Sequence, residues 1–242
     1  TSLALHNENN NVILYDNLTN SNQAVNNKLG TITGKIFPFI EGDIRDTQKL
    51  IKTFIDYQIG AVIHLAGKKS VAESIKNPVD YYDNNVGGTI SLLKAIQNTK
   101  LKNLVFSSSA TVYGEPQYLP LDEGHPMNPT NPYGRSKLQI EKILYDFTKT
   151  NPGFNVACLR YFNPVGAHKS GLIGENPKGK PNNLMPYITQ VAVGKHPNLN
   201  IFGNDYNTHD GTGIRDYIHV MDIAEGPLAA LNFIVKKKGW HA

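Results

Sequence analysis

Two residues able to act on a hydroxyl stand four apart in the segment Tyr133-Gly134-Arg135-Ser136-Lys137. On a helix that spacing puts both side chains on one face. A free phenol titrates near ~10 and is a poor base at neutral pH. A neighbouring ammonium favours the phenolate and turns the tyrosine into a base for a hydroxyl proton. A lone Tyr–Lys pair of this kind is usually a solvated surface pair. Its weight here comes from Ser107-Ser108-Ser109, which closes the apolar run at 103–106. A hydroxyl at that strand end can hydrogen-bond the same reacting oxygen. Ser, Tyr and Lys in this order on successive elements make a reaction-centre arrangement.

The elements that must position these groups follow from periodicity. Short apolar, β-branched runs lie at 11–15, 36–40, 61–65, 103–106 and 155–159. Between them, residues 47–59 repeat Leu50, Ile51, Phe54, Ile55 and Ile59 at helical spacing; 88–96 and 132–147 do the same, the latter with Leu138, Ile140, Ile143, Leu144 and Phe147. Strand–helix alternation predicts an α/β fold, a parallel sheet covered by helices on both faces. Such sheets bind ligands beyond the carboxyl ends of their strands.

Three of those ends carry small or acidic residues. The first run closes on Asp16, which either forms a turn or accepts hydrogen bonds from both hydroxyls of an adenosine ribose and repels a 2′-phosphate. The second is followed by Asp43, which either accepts from an adenine amine or caps the helix starting near Thr47. After the third, Leu65, Ala66 and Gly67 let backbone approach a cofactor closely. Beyond Asn163 the pattern changes. Residues 166–183, rich in Gly, Pro, Lys and Asn, read as a long functional loop. A helix at 184–193, a strand at 199–202 and a helix at 220–235 follow. The expected division is a dinucleotide-binding domain over 1–163 and a smaller substrate lobe over 164–242.

Composition narrows the function classes. The chain has 242 residues and a net charge of +4 with scattered basic residues. No basic stripe with interleaved aromatics suggests nucleic acid, and Lys236–Lys238 read as a solvated helix end. The single cysteine, Cys158, lies within an apolar run and reads as a buried strand residue. It excludes an internal disulfide and fits a reducing compartment, hence the cytoplasm. The eight histidines show no metal-ligand spacing, so no metal site is expected. No apolar run is long enough for a bilayer, and no secretory signal is visible.

Five segments carry a resemblance: FSSSATVYG at 106–114, PYGRSK at 132–137, RYFNPVGA at 160–167, PNNLMPY at 181–187 and GTGIRDYIHV at 211–220. Together, over essentially the whole chain, they resemble the signature segments of the UDP-glucose 4-epimerase family of extended short-chain dehydrogenases/reductases. The resemblance implies a Rossmann-like, doubly wound parallel sheet with a smaller α/β substrate lobe. It implies NAD as cofactor, UDP-glucose and UDP-galactose as substrates, and a homodimer.

By the same resemblance Tyr133 is the base, Lys137 holds the nicotinamide ribose and tunes the tyrosine, and Ser109 bridges to the sugar 4′-oxygen. Asp16, Asn17, Leu18, Thr19, Asn20 and Ser21 match cofactor-contacting positions. So do Asp43, Ile44, Leu65, Ala66, Gly67, Lys68, Lys69, Asn84 and Phe162. Asn163, Asn183, Leu184, Asn200, Ile201, Phe202 and Arg215 match positions around the UDP-sugar. Arg215 carries a rigid fork suited to phosphate, whereas loop asparagines are also common turn formers.

Two departures accompany the match. The family opens on a strand and a Gly-rich turn at a helix amino end that binds the pyrophosphate. No such turn is present, and residues 1–5 read as the tail of the helix that follows it. The family's last substrate-binding segments are expected beyond Ala242. The implied chemistry is a reversible oxidation at C4′, rotation of a 4-keto sugar, and reduction from the other face. A UDP-N-acetylglucosamine epimerase is the alternative. A dehydratase would carry an Asp-Glu pair where Ala110-Thr111-Val112-Tyr113 stands, and a non-catalytic dinucleotide sensor would lack the Tyr–Lys pair.

Overall fold

The structure is a computed structural model describing residues 1–176, 181 and 183–242. Six helices alternate with four strands in the first half. They are α1 (Ser2–Asn7), β1 (Leu14–Asp16), α2 (Ala24–Thr33), β2 (Phe39–Glu41), α3 (Thr47–Asp56), β3 (Ala61–His64), α4 (Val71–Lys76), α5 (Pro78–Tyr81), α6 (Gly88–Gln97) and β4 (Asn103–Ser109). A π-helical turn, Tyr82–Gly87, joins α5 to α6. Then come α7 (Pro132–Thr150), β5 (Asn155–Tyr161), β6 (Asn163–Val165), α8 (Leu184–Ala192), β7 (Tyr217–His219), α9 (Val220–Lys236) and β8 (Trp240–His241).

Every strand pair among the described residues is parallel. The order in the main sheet is β3-β4-β5-β8, with Phe106 opposite both His64 and Cys158. The strands β1 and β2 pair with each other in a ladder of their own, so the expected sheet appears in two pieces. They share a core, because Tyr15 and Ile44 pack on the cluster beneath the main sheet.

Side-chain alternation divides that sheet into two faces. Leu104, Phe106, Val156 and Cys158 meet Leu92 and Ile96 of α6 and Ile140 and Leu144 of α7. Val105 and Ala157, on the other face, meet Ala230 and Ile234 of α9. Helix α9, placed in the substrate lobe by its position in the chain, therefore covers the sheet of the first domain, and β8 extends that sheet. Its small residues explain the fit: Ala224, Pro227 and Ala230 are buried on one stripe.

Other expectations are corrected. Residues 199–202 form no strand: Leu199, Ile201 and Phe202 are apolar, but the segment is exposed and no ladder among the described residues reaches it. A short β6–β7 ladder, unforeseen, ties Asn163 to Tyr217 instead. Of the 166–183 loop and the PNNLMPY segment, residues 177–180 and 182 lie outside the described residues. Helix α3 is capped by Asp46, whose carboxylate accepts from Lys49 N at 3.0 Å, so Asp43 is not its cap. Helix α7 starts where Asn131 accepts from Gly134 N at 2.9 Å, with Pro132 in the first turn.

Gly114, just past the 3₁₀ turn that leaves β4, sits at φ +72°, where a Cβ would come within 1.9 Å of the Asn128 carbonyl oxygen. Gly114→Ala should therefore lower stability by at least about 2 kcal/mol. Urea unfolding of the two proteins measures this; matching midpoints would contradict the close approach.

Candidate active site

Ser109 ends β4, and its Oγ accepts from Thr111 N at 3.2 Å and from the Thr111 hydroxyl at 2.9 Å. The first turn of α7 brings the Tyr133 phenol to the Ser109 hydroxyl. One turn on, the Lys137 ammonium donates to Ser107 O at 2.8 Å, with its Nζ 4.8 Å from the Phe106 ring centroid and 5.9 Å from that of Tyr133. The structure thus brings Ser109, Tyr133 and Lys137 together.

The electrostatics differ from the simple expectation. Burial pushes the Tyr133 phenol above its ordinary value, and only the hydrogen bond with Ser109 pulls the other way. Burial also lowers Lys137 to about 8, against an upward pull from Cys158 and Glu141. The ammonium is spent on a carbonyl and two ring faces rather than on the phenol oxygen. Tyr133 is therefore tuned by its dry surroundings first.

At the end of β1, Asp16 Oδ1 accepts from Leu18 N at 2.7 Å and from the Ser21 hydroxyl at 2.6 Å. Leu18 takes φ +57°, a conformation held by that bond. Asn17 accepts from Thr19 N and its hydroxyl, and donates to Asp43 at 3.0 Å; Thr19 and Asn20 are exposed. Asp43 is clamped by Arg45, whose Nε and Nη2 each donate at 2.9 Å, and these bonds hold its carboxyl well below the usual range. Ile44 turns inward onto Gly88, where a Cβ would stand 2.5 Å from its Cγ2.

After β3, Leu65 and Ala66 are exposed and Gly67 has φ +153°. Lys68 pairs with Asp80, and Lys69 lies 3.5 Å from Glu175. Asn84 is half-buried. Its neighbour Asn85 escaped the sequence reading. Only 3% exposed, it accepts from Lys68 N at 2.8 Å and donates to Lys68 O at 3.0 Å and to Ser136 Oγ at 3.2 Å. Ser136 in turn donates to Tyr133 O. Asn85 thus ties the loop after β3 to the turn that carries Tyr133. The sequence signal for it is the Asn-Asn-Val-Gly-Gly interruption in a helical pattern. Thr111, Glu141 and Arg160 were also missed.

The residues expected on the substrate side are less concentrated. Phe162 and Asn163 follow β5, and Asn163 N donates to Asp216 O at 3.1 Å, beside Arg215, which folds onto Ile214 O. Asn183 donates to Glu175 at 2.6 Å, and Leu184 opens α8. Asn200, Ile201 and Phe202 stand in solvent, Phe202 at 94% exposure. No contact brings 200–202 to Tyr133.

The residues at these strand ends suit a dinucleotide. A carboxylate with one oxygen already fixed closes β1. Gly67 follows β3 with no room for a side chain, since a Cβ would stand 3.0 Å from Asn85 Oδ1. Polar groups ring the end of β4. The profile described as the NAD dependent epimerase/dehydratase family matches residues 2–240.

The chain belongs to that family.

A UDP-glucose 4-epimerase of Pasteurella multocida is 53% identical over 242 residues, covering 100% of this chain and 72% of the relative. The structure of UDP-glucose-4-epimerase from Stenotrophomonas maltophila, with bound NAD and formylated UDP-arabinopyranose, superposes with a TM-score of 0.94 at 46% identity, covering 99% of this chain and 71% of that one. The UDP-Glc/GlcNAc 4-epimerase of Campylobacter jejuni gives a TM-score of 0.82 at 37% identity, over 99% and 72%. No helix among the described residues is long and apolar enough to cross a membrane.

This member of the epimerase/dehydratase family also holds a buried histidine beneath the site. His64 Nε2 lies 3.0 Å from the Thr89 hydroxyl, which donates to Asn85 O at 2.7 Å. Thr89 must then accept, which places a proton on His64 Nε2. Burial, and then the charge of Lys137, lower its pKa from 6.5 to about 3. Between those values only the unfolded chain binds the proton, so this contribution to stability is complete above about 6.5 and is lost as pH falls toward 3. Urea unfolding between pH 7 and 4 should show a shallower loss in His64→Asn than in the wild type. Parallel slopes would place His64 in contact with water.

Proposed function

We propose that this chain catalyses the reversible 4-epimerisation of UDP-glucose and UDP-galactose, in galactose metabolism, with NAD as resident cofactor. The observation that carries the reading is the convergence of Ser109, Tyr133 and Lys137 at one strand end, in a chain 53% identical to a UDP-glucose 4-epimerase. We assign dinucleotide binding to 1–163 and nucleotide-sugar binding to 164–242, with α9 and β8 completing the first sheet. The chemistry and a single buried thiol suit the cytoplasm.

In this reading Tyr133 takes the proton of the sugar 4′-hydroxyl and Ser109 holds the oxygen through the change in charge. Lys137, fixed on Ser107 O, supplies positive potential and a donor for the nicotinamide ribose. Asp16 receives the adenosine ribose hydroxyls and, by like-charge repulsion, disfavours a 2′-phosphate. When bound, NAD supplies the redox chemistry, taking a hydride from C4′ and giving it back. Arg215, Asn163 and Asn183 hold the UDP end while the 4-keto sugar turns. No acid stands at 110–113, so elimination of water has no donor there.

Tyr133→Phe should fold and keep its cofactor while conversion of UDP-galactose falls about 10²–10⁴-fold, the usual worth of general base catalysis. Coupled assay of UDP-glucose formation measures it. Activity within a few-fold of wild type would remove Tyr133 from the role. UDP-N-acetylgalactosamine in the same assay tests the wider substrate range.

We further propose a two-fold dimer through the helices in 77–96 and 132–147. Val79 and Ile90 on the first of these segments are 79% and 39% exposed, apolar surface of the kind paired helices cover. Sedimentation at micromolar concentration should give twice the chain mass, and a pure monomer would refute the contact.

A further inference from the structure

We infer that Glu141 is a positioning residue for the reaction: its carboxylate, clamped between β4 and β5, sets the register of the catalytic face of α7 against the strand that carries Ser109. The inference rests on the assignment of Tyr133 as the base.

Glu141 lies four residues beyond Lys137 and eight beyond Tyr133, so the three share one helix face. It is 2% exposed. A carboxylate so deeply buried is costly unless fully paired. Arg160 of β5 donates to it from Nη2 at 2.8 Å and from Nε at 3.1 and 3.3 Å, and Ser108 of β4 donates to the same group. Arg160 also donates to the Tyr113 hydroxyl at 3.2 Å and to Glu123 O at 3.4 Å, so the clamp reaches the segment after β4.

Three consecutive residues of β4 therefore each meet one residue of α7. Ser107 O takes Lys137, Ser108 takes Glu141, and the Ser109 hydroxyl meets Tyr133. Three contacts fix both the slide and the roll of the helix, while two leave one of them free. Displacement of a reacting group by about 1 Å costs on the order of 10²-fold in rate.

The same carboxylate acts on Lys137. The titratable groups that act on that ammonium or feel its charge are Glu141 on α7, Cys158 on β5 and His64 on β3, with the Tyr133 ring centroid 5.9 Å away. Glu141 pulls Lys137 upward. Without Glu141 that upward pull is lost, and the ammonium gives up its proton at lower pH than in the wild type. The ammonium's contribution is present below its pKa and lost as pH rises through it, so the alkaline fall in kcat moves to lower pH.

A purely structural ion pair predicts something else. Buried pairs can often be replaced by apolar residues of similar volume with no loss of stability. The test compares Glu141→Gln, the double variant Glu141→Met/Arg160→Met, and Ser108→Ala, all in the protein with its cofactor bound. Thermal melts report folding, calorimetry reports NAD affinity, and pH profiles report kcat and KM for UDP-galactose.

We expect the double variant to melt cooperatively and to hold NAD and UDP-galactose within about threefold. Its kcat should fall roughly ten- to hundredfold, with the alkaline limb at lower pH. Ser108→Ala, which keeps the ion pair, should lose several-fold in kcat with that limb in place. If Glu141→Gln does not fold, the double variant and Ser108→Ala carry the test. Wild-type kcat and pH profile in a folded double variant would overturn the inference, as would a rise in KM matching the fall in kcat. Full activity in Tyr133→Phe instead indicts the base assignment, which separates the two failures.

Discussion

A buried ammonium tolerates few surroundings. Lys137 is almost wholly enclosed, and a charge so placed must find acceptors or lose its proton. It finds the Ser107 carbonyl, the face of Phe106 and, one turn away, the carboxylate of Glu141. All three are set by β4 or by α7 itself. The helix can therefore lie against the strand in one register only, and that register brings the Tyr133 phenol to Ser109. Strand β4 is held in turn between β3 and β5. The position of the chemistry is thus inherited from the sheet through a single cation.

The same enclosure decides the electrostatics. Exclusion of water raises the phenol and lowers the ammonium, so neither group is poised by its partner alone. Beyond the Ser109 hydrogen bond, a proton leaves Tyr133 more easily as positive potential builds beside it from an oxidised nicotinamide. Coupling the proton to the redox state of the cofactor is useful in an enzyme that must return the hydride it takes. On the proposed assignment of Tyr133 as base, the phenolate is most available when the cofactor is oxidised.

The parts of this arrangement visible in sequence are those with short-range signals. The Tyr–Lys spacing, the serines ending an apolar run, and the alternation of runs with helical patterns are all local. They led to strands β1–β5 and to three residues that the structure brings together at the end of β4. Long-range partner choices were not legible. Asn85 looks like one more polar residue in a helix until the π-helical turn aims it at Lys68 and Ser136. Glu141 and Arg160 sit 19 residues apart in the chain and read as an ordinary surface glutamate and a strand-end arginine. The 199–202 segment has strand propensity but no neighbour to pair with, and propensity without a ladder makes no strand. The stripe of small residues on α9 was visible as a helix pattern, but not which sheet face it would cover.

The three serines show how a strand turns one residue type into three functions. Alternation points Ser108 the same way as Leu104 and Phe106, toward α7, where its hydroxyl meets Glu141. Ser109, next along and opposite Tyr161 in the last step of the β4–β5 ladder, turns to the other side at the end of the strand. Ser107 contributes its carbonyl, which would be available whatever its side chain. A slip of one residue in the β4 register would put Ser107 on the clamp and Ser108 at the strand end, or Ser109 on the clamp and Ala110 at the strand end. Because the residue type is the same at all three positions, composition cannot specify which serine does chemistry. Specification falls to the apolar residues before them, whose burial against α6 and α7 fixes the register, and to the Arg160–Glu141 pair that meets Ser108. On the proposed assignment of Ser109, the identity of the catalytic hydroxyl is decided by core packing on one side of the strand and read out at its end.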